Sequence, residues 1–154
     1  TIGLESTIIE IKNNETIEIL RPGAIGAEDI GLALSSAGKK IKNILYSESA
    51  QKTPGAAYAH YAPNTPVKKI SSAKSAASYD CIIATDEWIQ ANNPQTPHIS
   101  IGSEKNMMQI GAKLYHTLFD IDQKKYQNIL FAEIPFGETG IEKAIAEKIA
   151  KMIK

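Results

Sequence analysis

Two short phrases hold most of the side chains in this 154-residue sequence that could do chemistry. The first is Gly3-Leu4-Glu5-Ser6-Thr7-Ile8-Ile9, followed by Ile19-Leu20-Arg21-Pro22-Gly23-Ala24-Ile25. The second is Thr53-Pro54-Gly55-Ala56-Ala57-Tyr58-Ala59-His60-Tyr61-Ala62-Pro63. Each sets polar side chains on a stiff backbone, a mixture that a buried core does not choose. Arg21 closes an apolar run and is followed at once by Pro22 and Gly23. A planar, permanently charged fork on a rigid turn is chemistry for an anion. The second phrase is a loop locked at Pro54 and Pro63 and hinged at Gly55, with Tyr58, His60 and Tyr61 between. His60 and Tyr61 are adjacent, so in an extended segment they point to opposite sides.

Other positions carry weaker signals. Gly137-Glu138-Thr139-Gly140 stands before a helical pattern, where it either receives an anion or forms an ordinary turn and cap. Trp88 follows Asp86-Glu87 at a strand end and suits packing or ligand stacking. There is no Gly-x-Gly-x-x-Gly after a strand and no Gly-x4-Gly-Lys-Ser/Thr, so neither a dinucleotide fingerprint nor a P-loop is present. His60, His98 and His116 are far apart, which argues against a dedicated zinc site, and no metal is expected. The single cysteine opens the run Cys81-Ile82-Ile83-Ala84 and reads as a buried, inert thiol.

The elements that must position these groups change character along the chain. Residues 4–11 and 15–20 are β-branched runs joined by Asn13-Asn14, which predicts a hairpin. A helix is expected from Ala27 to Ala37, with Ile30, Ala33, Leu34 and Ala37 on one face and Gly38 as its stop. Ile41 to Leu45 reads as a further strand, and residues 46–65 as a linker. Strands are then predicted at Val67–Ser71, Cys81–Thr85, His98–Gly102 and Ile129–Ile134. A helix opened by Ser103 should bury Met107, Gly111, Leu114, Tyr115 and Leu118. The last helix opens on a capping box of Thr139 and Glu142, with Ile141, Ala144, Ile145, Ile149 and Met152 as its apolar stripe. Strands alternating with helices, apolar on both faces, predict an α/β domain with a mainly parallel sheet over 66–154, Rossmann-like and three-layered.

Composition bounds the rest. Seventeen basic residues balance seventeen acidic ones, which argues against a strongly electropositive nucleic-acid surface. No apolar run approaches the ~20 residues needed to span a bilayer, so no membrane partner is expected. With 43% hydrophobic residues, one cysteine and no visible signal peptide, the sequence fits a soluble protein of a reducing cytoplasm. It opens without a methionine, close to a strand-like run, and reads as a piece of a longer protein.

In combination and order, these phrases resemble the end of a threonylcarbamoyl-adenylate synthase of the long, two-domain, YrdC-type kind. Members of that family carry a Gly-x-x-Ser-Thr-Val-Val strand, similar to Gly3, Ser6, Thr7, Ile8 and Ile9. Their Ile-Leu-Arg-Pro-Gly-Ala-Ile turn matches Ile19 through Ile25 without a change. Their linker Ser-Pro-Gly-Met-x-x-x-His-Tyr-Ala-Pro is matched at Pro54, Gly55, His60, Tyr61, Ala62 and Pro63, with Thr53 and Ala56 as departures. Gly140 and Ala144-Ile145 resemble the family's Gly-x-x-x-Ala-Ile phrase. The likeness is specific in 3–25 and 53–63 and weak through 66–128.

The resemblance implies the end of a YrdC-like catalytic domain at 1–45, a linker or lid at 46–65, and a Rossmann-like accessory domain at 66–154. It implies an enzyme that joins L-threonine, bicarbonate and ATP, with magnesium, into threonylcarbamoyl-adenylate and pyrophosphate, for tRNA threonylcarbamoyladenosine. No tightly bound cofactor is expected. By that likeness Ser6, Thr7 and Arg21 would bind substrate or nucleotide, and Pro54, Gly55, Tyr58, His60, Tyr61 and Pro63 would form the lid. The family's Lys-x-Arg and Ser-x-Asn motifs do not occur here, so a complete catalytic centre is not expected. The missing N-terminal half would be its partner, together with proteins of the tRNA-modification pathway. A different reading makes 66–154 a non-catalytic nucleotide-binding or partner-docking regulatory module, and a third makes it a structural brace.

Overall fold

The computed structural model describes residues 4–47, 62–70, 76 and 78–153. Pro54, Gly55, Tyr58, His60 and Tyr61 lie outside the described residues. By mutual contact the described chain falls into two compact units, residues 4–47 with 137–147, and residues 62–136 with 148–153. Residues 137–147 group with the first segment, and 62–65 with the second.

In the first unit, β1 (Ile8–Asn13) and β2 (Thr16–Arg21) form the expected antiparallel hairpin. The turn is Asn14-Glu15, one residue later than expected, because the Asn13 side chain accepts the Glu15 N–H at 2.9 Å. The strand β3 (Asn43–Tyr46) joins β2 in parallel, giving the order β1-β2-β3. Register places Ile9 opposite Ile19, Ile11 opposite Ile17, and Ile17 and Ile19 opposite Ile44 and Tyr46. The helix α1 (Ala27–Ser36) approaches β3 through Gly31 and Ile44. It ends as expected at Gly38, whose φ of 70° allows the Gly38 and Lys39 N–H groups to reach the carbonyls of Ser35 and Leu34. The expected apolar face of α1 is only half covered. Ile30 and Leu34 are half-buried, while Ala33 and Ala37 are exposed.

The second unit is built on a four-stranded, wholly parallel sheet in the order β4-β7-β5-β6, from β4 (Val67–Ile70), β5 (Cys81–Ala84), β6 (His98–Ser100) and β7 (Ile129–Ala132). The central strands β5 and β7 are buried at every residue, as continuous apolar runs in a covered parallel sheet must be. A helix that the apolar period did not announce, α2 (Asp86–Asn92), follows β5. It starts because Thr85 accepts the Trp88 N–H at 3.2 Å. Trp88 packs into the core with Ile70, Ile82, Leu130 and Ala132. The long helix α3 (Met107–Lys124) is capped by Asn106, not opened by Ser103, because the Asn106 side chain takes the Gln109 N–H at 3.1 Å. Ser103 is held instead by Glu87. Gly111, Leu114 and Leu118 are buried as expected, joined by Ile110, Thr117 and Ile121, whereas Met107 and Tyr115 are half-buried.

The last helix, α4 (Gly140–Met152), opens on the expected capping box. Thr139 N–H donates to Glu142 Oε2 at 3.0 Å and Glu142 N–H reaches Thr139 Oγ1 at 3.4 Å. Ala144, Ile145, Ile149 and Met152 are buried.

Candidate functional site

The end of β2 brings three of the sequence-predicted residues together. Arg21 Nε donates to the Ser6 carbonyl at 3.0 Å and Nη2 to Ser6 Oγ at 3.1 Å. Nη1 faces Glu5 Oε2 at 4.0 Å. Among the described residues Ser6 takes two of the five guanidinium N–H groups, and the side chain of Arg21 is 20% exposed. Glu5 is the built-in competitor for an anion at this fork. Thr7 turns the other way, its hydroxyl donating to the Ile25 carbonyl at 2.7 Å.

Gly23 makes this arrangement possible. A Cβ there would stand 2.5 Å from Thr7 N, 2.6 Å from Thr7 Oγ1 and 2.7 Å from the Glu5 carbonyl. The segment Glu5–Thr7 therefore lies directly against the Arg21-Pro22-Gly23 turn, a closeness only glycine permits.

Beyond this turn lies a cavity of about 230 Å³, lined by Ala24, Gly26, Asp29, Tyr46, Thr139 and Gly140 among others. Lys143 sits 4.9 Å from the centre of the Tyr46 ring and is ion-paired with Glu138. The first N–H groups around this cavity already have partners. Gly26 N–H donates to Asp29 Oδ2 at 2.8 Å, and Ala27 N–H to the Tyr46 hydroxyl at 3.3 Å. Glu142 takes both the N–H and the hydroxyl of Thr139, and that hydroxyl holds its carboxyl below the usual range. Gly137–Gly140 is therefore a turn and cap filled by the chain's own carboxylate.

Of the predicted lid residues Pro54, Gly55, Tyr58, His60, Tyr61 and Pro63, Pro63 alone is described, and it is buried. The residue after it is clasped by α3. Asp122 accepts from Asn64 N–H at 3.0 Å, from Asn64 Nδ2 at 3.2 Å and from Thr65 N–H at 3.4 Å.

At the C-terminal ends of β5 and β6 the polar groups are spent on one another. Ser100 donates to Asp86 at 2.5 Å, Ser103 to Glu87 at 2.5 Å and Thr85 to Glu104 at 2.7 Å. The Ser103 hydroxyl, then the Glu104 N–H, hold the Glu87 carboxyl below its ordinary value. Cys81 is fully buried, and burial pushes its thiol up. Among the described residues no group of three or more His, Cys, Asp or Glu could hold a metal ion. No helix among them is long and apolar enough to cross a membrane.

The contacts that sequence reasoning missed, Gly23 against Thr7 and Gly26 against Gly140, are backbone approaches between distant segments. Glycine itself was their only trace in the sequence.

A family model described as threonylcarbamoyl-AMP synthase, C-terminal domain, matches residues 15–152. The chain belongs to that family. No curated protein matches it. Among solved structures, Sua5 of P. abyssi complexed with L-threonine superposes with a TM-score of 0.66 at 18% identity, covering 98% of this chain and 46% of that one. A P. abyssi Sua5 variant with an adjacent histidine and tyrosine both replaced by alanine gives the same score and identity, with 45% of that chain covered. At such identity the likeness speaks of the fold. The threonylcarbamoyl-AMP synthase family is an enzyme family of tRNA threonylcarbamoyl modification, and this member spans just under half the length of those two proteins.

Proposed function

We propose that the chain is the C-terminal portion of an L-threonylcarbamoyladenylate synthase, a cytoplasmic nucleotidyltransferase. The whole enzyme would join L-threonine, bicarbonate and magnesium-bound ATP into threonylcarbamoyl-AMP and pyrophosphate. The observation that carries the reading is the Arg21 fork on its Pro22-Gly23 turn, in a chain of this family, with Ser6 and Thr7 beside it. Charge develops on phosphoryl oxygens in adenylate formation, and a fixed guanidinium answers it. Residues 1–45 would be one wall of the catalytic domain and 66–154 a Rossmann-like accessory domain. The mutually satisfied polar groups at the ends of β5 and β6 favour a bracing role for the latter over nucleotide binding.

Residues 46–65 would form the lid, with one of His60 and Tyr61 facing substrate and the other anchoring the loop. A relative binds L-threonine, and another was altered at an adjacent His-Tyr pair, the dipeptide present here. The chain by itself lacks the Lys-x-Arg and Ser-x-Asn motifs and would be incomplete as a catalyst.

One assay tests this: pyrophosphate released and threonylcarbamoyl-AMP formed from L-threonine, bicarbonate and magnesium-ATP. The chain alone should give no pyrophosphate above background, whereas turnover from ~1 per second upward would sink the incomplete-catalyst reading. In the full-length enzyme, Arg21→Ala should abolish most activity. His60→Ala and Tyr61→Ala should lower adenylate yield more than ATP consumption, because a loosened lid admits water to the carbamate. An unchanged ratio in both variants would reduce 46–65 to a tether.

A further inference from the structure

Gly140 and Gly26 meet backbone to backbone. A Cβ on Gly140 would stand 2.6 Å from Gly26 N and 3.1 Å from the Ile25 carbonyl carbon, and would also strike Gly26 Cα. A Cβ on Gly26 would stand 2.8 Å from Gly140 N and 2.9 Å from Gly140 Cα. No rotamer change relieves such a clash, because the opposing atoms are main chain. Backbone conformation does not require glycine at either place. Gly26 has an extended φ of −95° and ψ of −176°, and Gly38 and Gly102 alone among the described glycines have positive φ. The first position of a helix accepts most residues. Close approach is what the two positions share.

The peptide that Gly140 touches is the one that holds Thr7. Its carbonyl, from Ile25, accepts the Thr7 hydroxyl at 2.7 Å. Its nitrogen, from Gly26, donates to Asp29 in α1 at 2.8 Å. The Gly140 end is held in turn by Lys143 over the Tyr46 ring and by the Tyr46 hydroxyl on Ala27 N–H. We infer that Gly140 is a positioning residue for the Ser6–Thr7–Arg21 turn. Its bare Cα seats the start of α4 against the Ile25–Gly26 peptide and so sets where the Thr7 hydroxyl points. This rests on the reading of that turn as a substrate-binding wall. It assigns a role in that wall to a residue from the far end of the chain.

The test substitutes Gly140→Ala, with Gly31→Ala as control. A Cβ on Gly31 meets only Ile44 Cδ1 at 3.6 Å, an ordinary contact. In the 154-residue chain, NMR should show the amide signals of Thr7 and Ile25 and the Arg21 Nε–H signal displaced by Gly140→Ala and unmoved by Gly31→Ala. In the full-length enzyme the dissociation constant for L-threonine should rise about tenfold or more for Gly140→Ala alone, since small misplacements at a site carry such penalties. A folded Gly140→Ala chain with the three signals unmoved overturns the inference. Should that variant fail to fold, Lys143→Met decides. It loosens the same seat without a clash, and unmoved signals in it overturn the inference too. If the signals move and the unsubstituted enzyme binds no L-threonine, the positioning role stands and the substrate reading falls.

Discussion

The three-stranded sheet and the parallel sheet solve the same problem, covering apolar strands, to different degrees. In the parallel sheet, β5 and β7 are buried at every position, and α3 buries Ile110, Leu114, Leu118 and Ile121 over the unit's core. In the other unit α1 buries no residue fully, and Ile9, Ile11, Ile25, Leu32 and Leu45 remain exposed. Register puts Ile9 and Ile11 on the same face as the buried Ile19 and Ile17. One face of one hairpin is thus sealed at β2 and open at β1. The parallel sheet carries its own core. The region with Arg21 and Thr7 has geometry held by close backbone contacts and hydrogen bonds more than by buried area.

The widest gap between the two regions should appear in core truncations. Ile82→Ala in β5 should cost about 2–5 kcal/mol, the range for a fully buried isoleucine. Ile11→Ala, at a position 69% exposed, should stay within about 0.5 kcal/mol. Hydrogen exchange under mild urea, read at the β5 amides for Ile82→Ala and at the β2 amides for Ile11→Ala, makes the comparison within each unit. Similar costs for the two would break it.

A smaller effect belongs to the end of α1. Gly38 has φ of 70° with nothing within 4 Å of a built Cβ, so Gly38→Ala introduces strain without a clash. The expected cost is about 1–2 kcal/mol, seen as faster hydrogen exchange through α1 with the amides of β5 and β7 unaffected. Faster exchange in both units together would show that the two regions unfold as one.

The smallest effect is a pH dependence at the cap of α4. The Thr139 hydroxyl lowers the Glu142 carboxyl below its ordinary 4.5. A depressed carboxyl contributes stability above its unfolded value and loses it as pH falls through the folded one. Thermal melts of the native chain and of Glu142→Gln should therefore differ at pH 7 and converge below the ordinary carboxylate range. A gap that stays constant to pH 3 would remove the charge from the explanation.

Much of this fold is written locally. The hairpin, the stop of α1 at Gly38, each strand of the parallel sheet taken singly and the Thr139–Glu142 box all rest on residues within a few positions of one another, where propensity and capping act. The misreadings were local competitions. Asp86–Asn92 is too short to show a helical period, and Thr85 started the helix unannounced. Ser103 reads as the opening of α3, but Glu87 takes its hydroxyl and Asn106, three residues on, caps the helix. In the candidate site, Arg21 was legible because its turn is contiguous, three residues in a row.

What surrounds Arg21 was not legible. Sequence order alone does not say that β7 inserts between β4 and β5, that Ser6 lies under the guanidinium, or that Gly140 rests on Gly26. Each joins segments far apart along the chain. Such contacts form only once loop closure has been offset by burial elsewhere, so they belong to the assembled structure rather than to any window of residues. Local chemistry determined which elements exist and where Arg21 stands on its turn; tertiary closure decided which backbone lies against that turn, and therefore where Thr7 points.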